Sequence, residues 1–434
     1  MEIGIAYYAL ILFVSFFTLL ALGVPVAFCI IVATAIALAI DMPIQEVFYM
    51  GSQTMFEGIN SFGLLAVPFF ILSGSLMNHG GIAKRLIDLA LLIGGRIPGS
   101  LLHANVLSNM LFGSVSGSSV AAASAVGGFM GPLQKEKNYD KNICAAVNIA
   151  SAPTGLLIPP TGMFIIYSLL TGASVGTLFI AAYIPGIMMG LGVMLVAYYF
   201  AKKYNYPVEP RKESKEVVNI ILSSIPSLAM VVLVIGGIVF GVFTATEGGA
   251  IAVAYSAILA LIYKEISVKE FPKICLDAAA MSGLILFLIA ASSFMAWVMS
   301  YLSLPEALSD LLIGISENKL VIFLLMNLAL LLVGTFLDVA PALLIFTPIF
   351  FPVAHSLGMG DIQFGIMIAF NLCIGNFTPP VGSALFVGCN VAGVPIEKVI
   401  KPLIPIFLLE ILLLLMVTYI PNISLILPKI FGLI

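Results

Sequence analysis

The sequence predicts an all-α polytopic membrane protein built from two inverted-topology repeats, each with a re-entrant helical hairpin and a Pro-Pro-broken helix. Three observations lead there. The 434-residue chain is 61% hydrophobic and only 9% charged, with a mean hydropathy of +1.18, far more apolar surface than a soluble core requires. Its two Pro-Pro pairs, Pro159-Pro160 and Pro379-Pro380, lie 220 positions apart (379 − 159) in charge-free apolar stretches. Matching loops in the two halves carry opposite charge.

Charge sets the orientation. All but Lys319 and Lys429 of the 18 basic residues fall in five groups, around Lys84, Lys135, Lys202, Lys264 and Lys398. The positive-inside rule places these groups in the cytoplasm. The first apolar run lacks a basic leader and a small-residue cleavage site, so it is expected to be a retained span. Residues 5–40, interrupted at Gly23-Val24-Pro25, make either two short spans or one kinked one. Residues 41–60 have acids but no Lys or Arg, suiting the periplasmic face, and 80–95 reads as an amphipathic interfacial helix.

Residues 97–134 carry no formal charge, yet both ends are cytoplasmic. The middle, Gly113-Ser114-Val115-Ser116-Gly117-Ser118-Ser119, is too polar and glycine-rich for stable helix. Removing it leaves about fifteen residues per arm, short of the ~20 that span a bilayer, so a re-entrant hairpin is predicted. Residues 142–171 then form a helix broken at Pro159-Pro160, because proline lacks a backbone donor and clashes with the preceding turn. Spans follow at about 177–201, 220–243 and 248–263.

Adding 220 to the numbers of the first half aligns Leu91-Leu92-Ile93-Gly94 with Leu311-Leu312-Ile313-Gly314. It also aligns Pro132 with Pro352, Gly155 with Gly375, Gly162 with Gly382 and Pro185 with Pro405. Where the first half carries Lys84, Arg85 and Arg96, the second carries Glu306, Asp310 and Glu317. The second hairpin, 318–352, and second broken helix, 362–392, should therefore enter from the opposite face. Inverted repeats with discontinuous helices describe many secondary transporters.

In lipid, broken backbone survives only where protein or a water-lined cavity satisfies it. Broken helices offer carbonyls, which suit Na⁺, and N–H groups, which suit an anion. The candidate binding residues are therefore the polar and helix-breaking ones at the two hairpin tips and the two breaks. At the first tip these are Gly113, Ser114, Ser116, Gly117, Ser118 and Ser119; at the first break, Ser151, Thr154, Gly155, Pro159, Pro160 and Thr161. The second tip supplies Gly334, Thr335 and Asp338, and the second break Asn371, Gly375, Asn376, Thr378, Pro379 and Pro380. A plain proline kink is the alternative at each break. An intramembrane carboxylate is costly and hence functional by default, so Asp338 is expected in the site or as the N-cap of the second hairpin arm. Glu247 is expected to cap a span, and Glu410 to face a partner helix.

Several classes are excluded. The five cysteines are scattered without CxxC spacing, and the three histidines are isolated, which argues against metal, redox and proton-relay roles. No Walker or dinucleotide fingerprint occurs, so neither a nucleotide nor a cofactor is expected. No basic tail suggests nucleic acid.

Gly23-Val24-Pro25-Val26-Ala27-Phe28, Phe112 through Ser119, Ile158-Pro159-Pro160-Thr161, Gly334 through Asp338, and Asn376 through Gly382 together resemble the large membrane subunit of tripartite ATP-independent periplasmic (TRAP) transporters. The resemblance covers essentially the whole chain. It implies an elevator-type, Na⁺-coupled importer of organic acids such as C4-dicarboxylates, sialic acid or other sugar acids in the bacterial inner membrane. It further implies a small four-helix membrane subunit and a periplasmic substrate-binding protein as partners. Some members fuse the small subunit to the N-terminus; this chain begins with the large one, so a separate small subunit is expected.

On that resemblance, residues 97–176 and 318–392 form the moving transport domain. Residues 1–96, 177–317 (with a cytoplasmic loop at 202–219) and 393–434 form the scaffold. Na⁺ is expected at Ser116, Ser151, Gly155, Thr335, Asp338 and Asn376. A stand-alone divalent-anion/Na⁺ symporter is the nearest rival, and an intramembrane aspartyl protease using Asp277 and Asp338 a rival of another class.

Overall fold

A computed structural model describes residues 2–208, 213–267, 269–316, 318–379 and 381–434. Arg211, Lys212, Glu317 and Pro380, all used in the sequence reading, lie outside the described residues. Among the described residues every regular element is helical, and seven helices are long and apolar enough to cross a membrane, or up to eight with one bent pair counted as a span. Large apolar side chains such as Val232 and Leu408 are exposed on their outer faces, as lipid-facing residues must be.

At the start of the chain, α1 (Glu2–Ala21) and α2 (Val26–Leu38) pack against each other. The break between them holds Gly23 at φ +81°, a conformation open to glycine without a Cβ penalty. The region is thus two helices rather than one kinked helix. Next come α3 (Ile44–Ile59), a 3₁₀ turn, α4 (Ala66–His79) and the amphipathic α5 (Ile82–Gly94).

The first hairpin is α6 (Ser100–Ser116) and α7 (Ser119–Glu136). Its tip is tighter than the composition suggests. Only Gly117 and Ser118 leave the helix; Gly117 turns it at φ +61°, and Ser118 accepts a hydrogen bond from the Ala121 N–H at 3.2 Å as N-cap. Residues 113–116 remain helical; Gly113 packs against Gly155 of the neighbouring chain segment, and Ser114 returns its hydroxyl to the Leu111 carbonyl at 2.9 Å. The broken helix follows as α8 (Lys141–Ser151), α9 (Thr154–Leu157) and α10 (Gly162–Thr171), bent by 48° at the break. The long α11 (Val175–Lys203) closes this unit.

Three further helices, α12 (Ser214–Val239), α13 (Ala245–Tyr263) and α14 (Phe271–Tyr301), join the halves, and α15 (Leu304–Ile315) follows. Glu247 is a cap as expected, forming a capping box with Thr244 at the start of α13. The order then recurs. A hairpin of α16 (Lys319–Gly334) and α17 (Val339–Ser356) precedes a broken helix of α18 (Asp361–Gly375) and α19 (Ser383–Ala392). The long α20 (Ile396–Tyr419) and the short α21 (Pro421–Ile430) end the chain.

The packing of two long helices bears on the division into units. The sequence reading leaves α11 and α20 with the scaffold, but α20 packs on α8 and α18, and α11 packs on α6, α9 and α18. Both long helices thus touch the hairpins and broken helices, and α11 also packs on α12. Hydropathy marks them as spans, but only tertiary contact reveals their neighbours.

Two backbone contacts hold the halves of this unit. A Cβ on Gly155 would fall 2.1 Å from the Gly113 Cα, and one on Gly375 would fall 2.6 Å from the Gly334 Cα. In each repeat a hairpin arm thus touches its broken helix glycine to glycine, as small residues permit in membranes. Gly155→Ala should lower stability by about 1–3 kcal/mol, the usual cost of overpacking. The control Gly162→Ala, whose Cβ would meet nothing within 4 Å, should leave the thermal unfolding midpoint unchanged. Equal midpoints for both variants would rule out the contact as a structural constraint.

Candidate functional site

Buried polar side chains tie each broken helix to its hairpin near these glycine contacts. In the first repeat the Asn109 amide Nδ2, within 3.3 Å of Asn105 Oδ1, donates to the Asn148 carbonyl at 3.2 Å, Asn148 Oδ1 at 3.0 Å and Ser151 Oγ at 2.8 Å. Asn148 in turn donates to the Ala123 carbonyl of α7 at 2.8 Å. In the second repeat the roles of hairpin and broken helix exchange. Asn371 on α18 donates to the carbonyl and Oδ1 of Asn327 on α16, both at 2.9 Å. Asn327 donates to Thr418 Oγ1 of α20 at 3.1 Å.

Asn376 links the repeats. Its Oδ1 accepts from Ser119 at the first hairpin tip (3.1 Å) and from the Ala384 N–H of α19 (3.2 Å). Its Nδ2 donates to Asp338 Oδ1 at the second tip, at 2.9 Å. Ser383 adds a bond to the same carboxylate oxygen at 3.1 Å, and the Gly382 N–H donates to the Thr335 carbonyl at 3.0 Å. Asp338 occupies the N-cap position of α17 but makes no capping bond. Its carboxylate instead joins the second tip to the second break.

A cavity of about 280 Å³ opens where these parts meet. Ser116 through Ser119 of the first tip, Pro160 and Gly162 of the first break, and Asp338 of the second tip line it. Ser73, Ser75 and Asn78 of α4 form a polar face on another side. Asp338 is the sole ionisable lining residue among those described, and no Lys or Arg lines the cavity. Asp277 does not reach it, so the paired carboxylates of an aspartyl protease do not meet there.

The expected site residues thus divide. Ser116, Gly117, Ser118, Ser119, Pro160 and Asp338 line the cavity; Asn376 is one hydrogen bond behind it. Gly113, Gly155, Gly334 and Gly375 make the backbone contacts, and Ser151 and Asn371 belong to the amide clamps. The hydroxyls of Ser114, Thr154, Thr335 and Thr378 donate to carbonyls of their own chain segments. The Thr161 hydroxyl is buried without a partner, Pro159 meets Pro160 through a cis peptide, and Pro379 is half-buried beside the second break. Of the six residues expected to hold Na⁺, Ser116 and Asp338 line the cavity and Asn376 is bonded to Asp338, while Ser151 and Gly155 take part in the packing of the first repeat. No group of three His, Cys, Asp or Glu forms a metal site among the described residues.

The sequence reading missed the α4 face, although Ser73, Ser75 and Asn78 interrupt an apolar span visibly enough. It also passed over Asn105, Asn109 and Asn327. Glu410, expected to face a partner helix, is fully buried with neither carboxylate oxygen hydrogen-bonded. It packs against Gly192 of α11, where a Cβ would fall 2.7 Å from Glu410 Oε1.

Two hairpin-and-broken-helix units meeting at an internal polar cavity are the architecture of a secondary transporter. The sequence model of the "Tripartite ATP-independent periplasmic transporter, DctM component" family matches residues 13–423, and the chain belongs to that family of multi-pass inner-membrane permeases. It is 47% identical to the uncharacterized protein YgiK of Salmonella typhimurium over 100% of both chains. It is 37% identical to the C4-dicarboxylate TRAP transporter large permease protein DctM of Pseudomonas aeruginosa, over 87% of this chain and 89% of that one. Among solved structures the fold is similar to the Alcanivorax borkumensis YdaH transporter, with a TM-score of 0.59 at 16% identity over 90% and 89% of the two chains.

The Asn376 junction makes a thermodynamic prediction. Asn376→Ala should cost about 1–3 kcal/mol, because it strands buried hydrogen-bonding groups. Combined with Asp338→Ala it should be non-additive by about 0.5–3 kcal/mol, as for residues in one network. Additive effects in a double-mutant cycle read by chemical unfolding would mean that the two side chains act independently.

Proposed function

We propose that the chain is the large permease of a three-part importer that moves a small organic-acid anion across the inner membrane, driven by Na⁺. The observation that carries this reading is the cavity between the two hairpin tips and the first break, in a chain that belongs to the permease family. Its polar lining of serine hydroxyls and one carboxylate suits a cation. No ammonium or guanidinium lines it, so an anion would be held by hydroxyls, amides, backbone N–H groups and bound Na⁺. We assign Na⁺ to oxygens at the two tips, from Ser116, Thr335 and Asp338, and at the second break, from Asn376. Ser151 and Gly155 would act through packing.

The substrate class follows the relative named for C4-dicarboxylate, with sugar acids the wider range. A small four-helix membrane subunit and a periplasmic binding protein would complete the assembly. Transport would proceed by an elevator motion, with the two hairpins, both broken helices, α11 and α20 moving as one body. The scaffold would comprise α1 through α5 and α12 through α14.

Uptake into proteoliposomes holding the chain, its small subunit and its binding protein tests this reading. An inward Na⁺ gradient should drive accumulation of a C4-dicarboxylate or sugar acid, and equal uptake without the gradient would sink the coupling. Asp338→Asn should lower Na⁺-driven uptake by about tenfold or more, since a hydrogen bond to a charged group is worth about 1.5–3 kcal/mol. Unchanged uptake and Na⁺ dependence in that variant would remove Asp338 from the ion site.

A further inference from the structure

A second cavity, of about 360 Å³, shares no lining residue with the central one. Its walls come from α7, α8 and α19, and Asn105 of α6 contributes from beneath. Asn105 is fully buried. Its Oδ1 accepts from Asn109, but its Nδ2 has no partner. A buried amide N–H left unpaired costs about 1–3 kcal/mol, so this donor is short of an acceptor; Asn109 Oδ1, one turn along α6, is likewise buried without a partner.

The other polar groups of the cavity point to the same ligand chemistry. The amides of Asn148 and Gln134 already donate to the carbonyls of Ala123 and Leu101, and the Tyr139 hydroxyl donates to the Pro207 carbonyl. Lys135 and Lys141 are the charged lining residues, and both are exposed. What remains for a ligand is therefore one buried amide donor and two ammonium groups, with no carboxylate on the wall. Such a set fits an anion whose oxygens accept from all three.

The shape of the wall agrees. A Cβ on Gly128 or on Gly131 would meet nothing within 4 Å, and both glycines line the cavity from α7. Glycine inside a helix costs roughly 0.5–1 kcal/mol against alanine, and no close packing here requires it. Its effect is to keep the space open. The volume suits a small organic acid rather than a macromolecule. Lys135 and Lys141 belong to a basic loop group, which the positive-inside rule places in the cytoplasm.

We propose that this cavity is a cytoplasmic binding site for a small organic carboxylate, separate from the central site, with Asn105, Lys135 and Lys141 as its donors. A carboxylate there would bridge the first hairpin, the first broken helix and the second half of the second broken helix. The proposal concerns binding and stands or falls apart from Na⁺-driven transport.

Equilibrium binding of radiolabelled succinate and gluconate to the full chain in phosphatidylcholine nanodiscs tests it. At least one probe should bind, and binding should persist in Asp338→Asn. Gly131→Leu, which fills the cavity while removing no polar group, should weaken that binding by about tenfold or more, as should Lys135→Ala combined with Lys141→Ala. Thermal unfolding midpoints should match the parent chain, which separates loss of the site from loss of the fold. Parent-like affinity in both cavity variants would overturn the proposal, as would loss of all binding in Asp338→Asn or failure of both probes to bind. Protection of the cavity only by phosphatidylglycerol would instead assign the donors to a lipid headgroup and equally overturn it.

Discussion

Everything at the centre of this molecule depends on how closely a hairpin arm approaches a broken helix. A break in lipid exposes backbone groups that cost several kcal/mol each unless protein or water meets them. Gly113 against Gly155, and Gly334 against Gly375, let two backbones touch where any side chain would hold them apart. Buried amides near each contact then fix the register: Asn109 onto Asn148 in one repeat, Asn371 onto Asn327 in the other. A polar residue in an apolar helix is costly alone and stabilising once paired. The glycines bring the elements close, and the amides choose which turn meets which.

The two repeats share this frame but finish their breaks differently. At the second break, Asn376, Asp338, Ser383 and the Gly382 N–H to Thr335 carbonyl bond weave tip and break into one polar network. The first break has no matching network: position 156, which the 220 register pairs with Asn376, is Leu, and the Thr161 hydroxyl is buried unpartnered. The first tip is tied instead to the other repeat, through Ser119 and Asn376. One tip is thus anchored to its own break, while the other is bonded across to the second hairpin-and-break unit. That difference gives the cavity a carboxylate on one side and an uncharged serine run on the other.

Much of this was legible in the sequence. Proline punctuation, the 220 register and charge-free stretches located both hairpins and both broken helices, because those signals are local or periodic. The roles of single polar residues were harder to read. Ser114, Thr154 and Thr378 look like ligands in an apolar context, yet each hydroxyl returns to a carbonyl three or four residues earlier. Asn109 and Asn327 looked unremarkable, because a lone amide declares its role only through a partner dozens of residues away. The contacts of α11 and α20 with the central unit were equally hidden. Hydropathy says that a helix meets lipid somewhere but not which helix covers its other face.

The α4 face bears most directly on how the central unit would move. Ser73, Gly74 and Ser75 lie beside the first hairpin tip, and a Cβ on Gly74 would fall 3.0 Å from the Ser116 carbonyl oxygen. The α4 helix packs on α13 and α14, so it belongs with the helices that would stay still. Where α4 meets the first hairpin tip, Gly74 faces the Ser116 backbone, while Val67, Phe70 and Ile71 of the same helix also line the cavity. Bulky interlocked side chains resist sliding because packed interfaces hold discrete arrangements rather than deform continuously. A face of hydroxyls and bare backbone gives way more easily, and its polar groups remain hydrogen-bonding partners at more than one register. The same face lines the cavity, so under the proposed elevator motion substrate and sliding surface would meet at one place. Substitution on α4 would therefore alter the motion and the lining together, which makes it the scaffold element most closely coupled to the site.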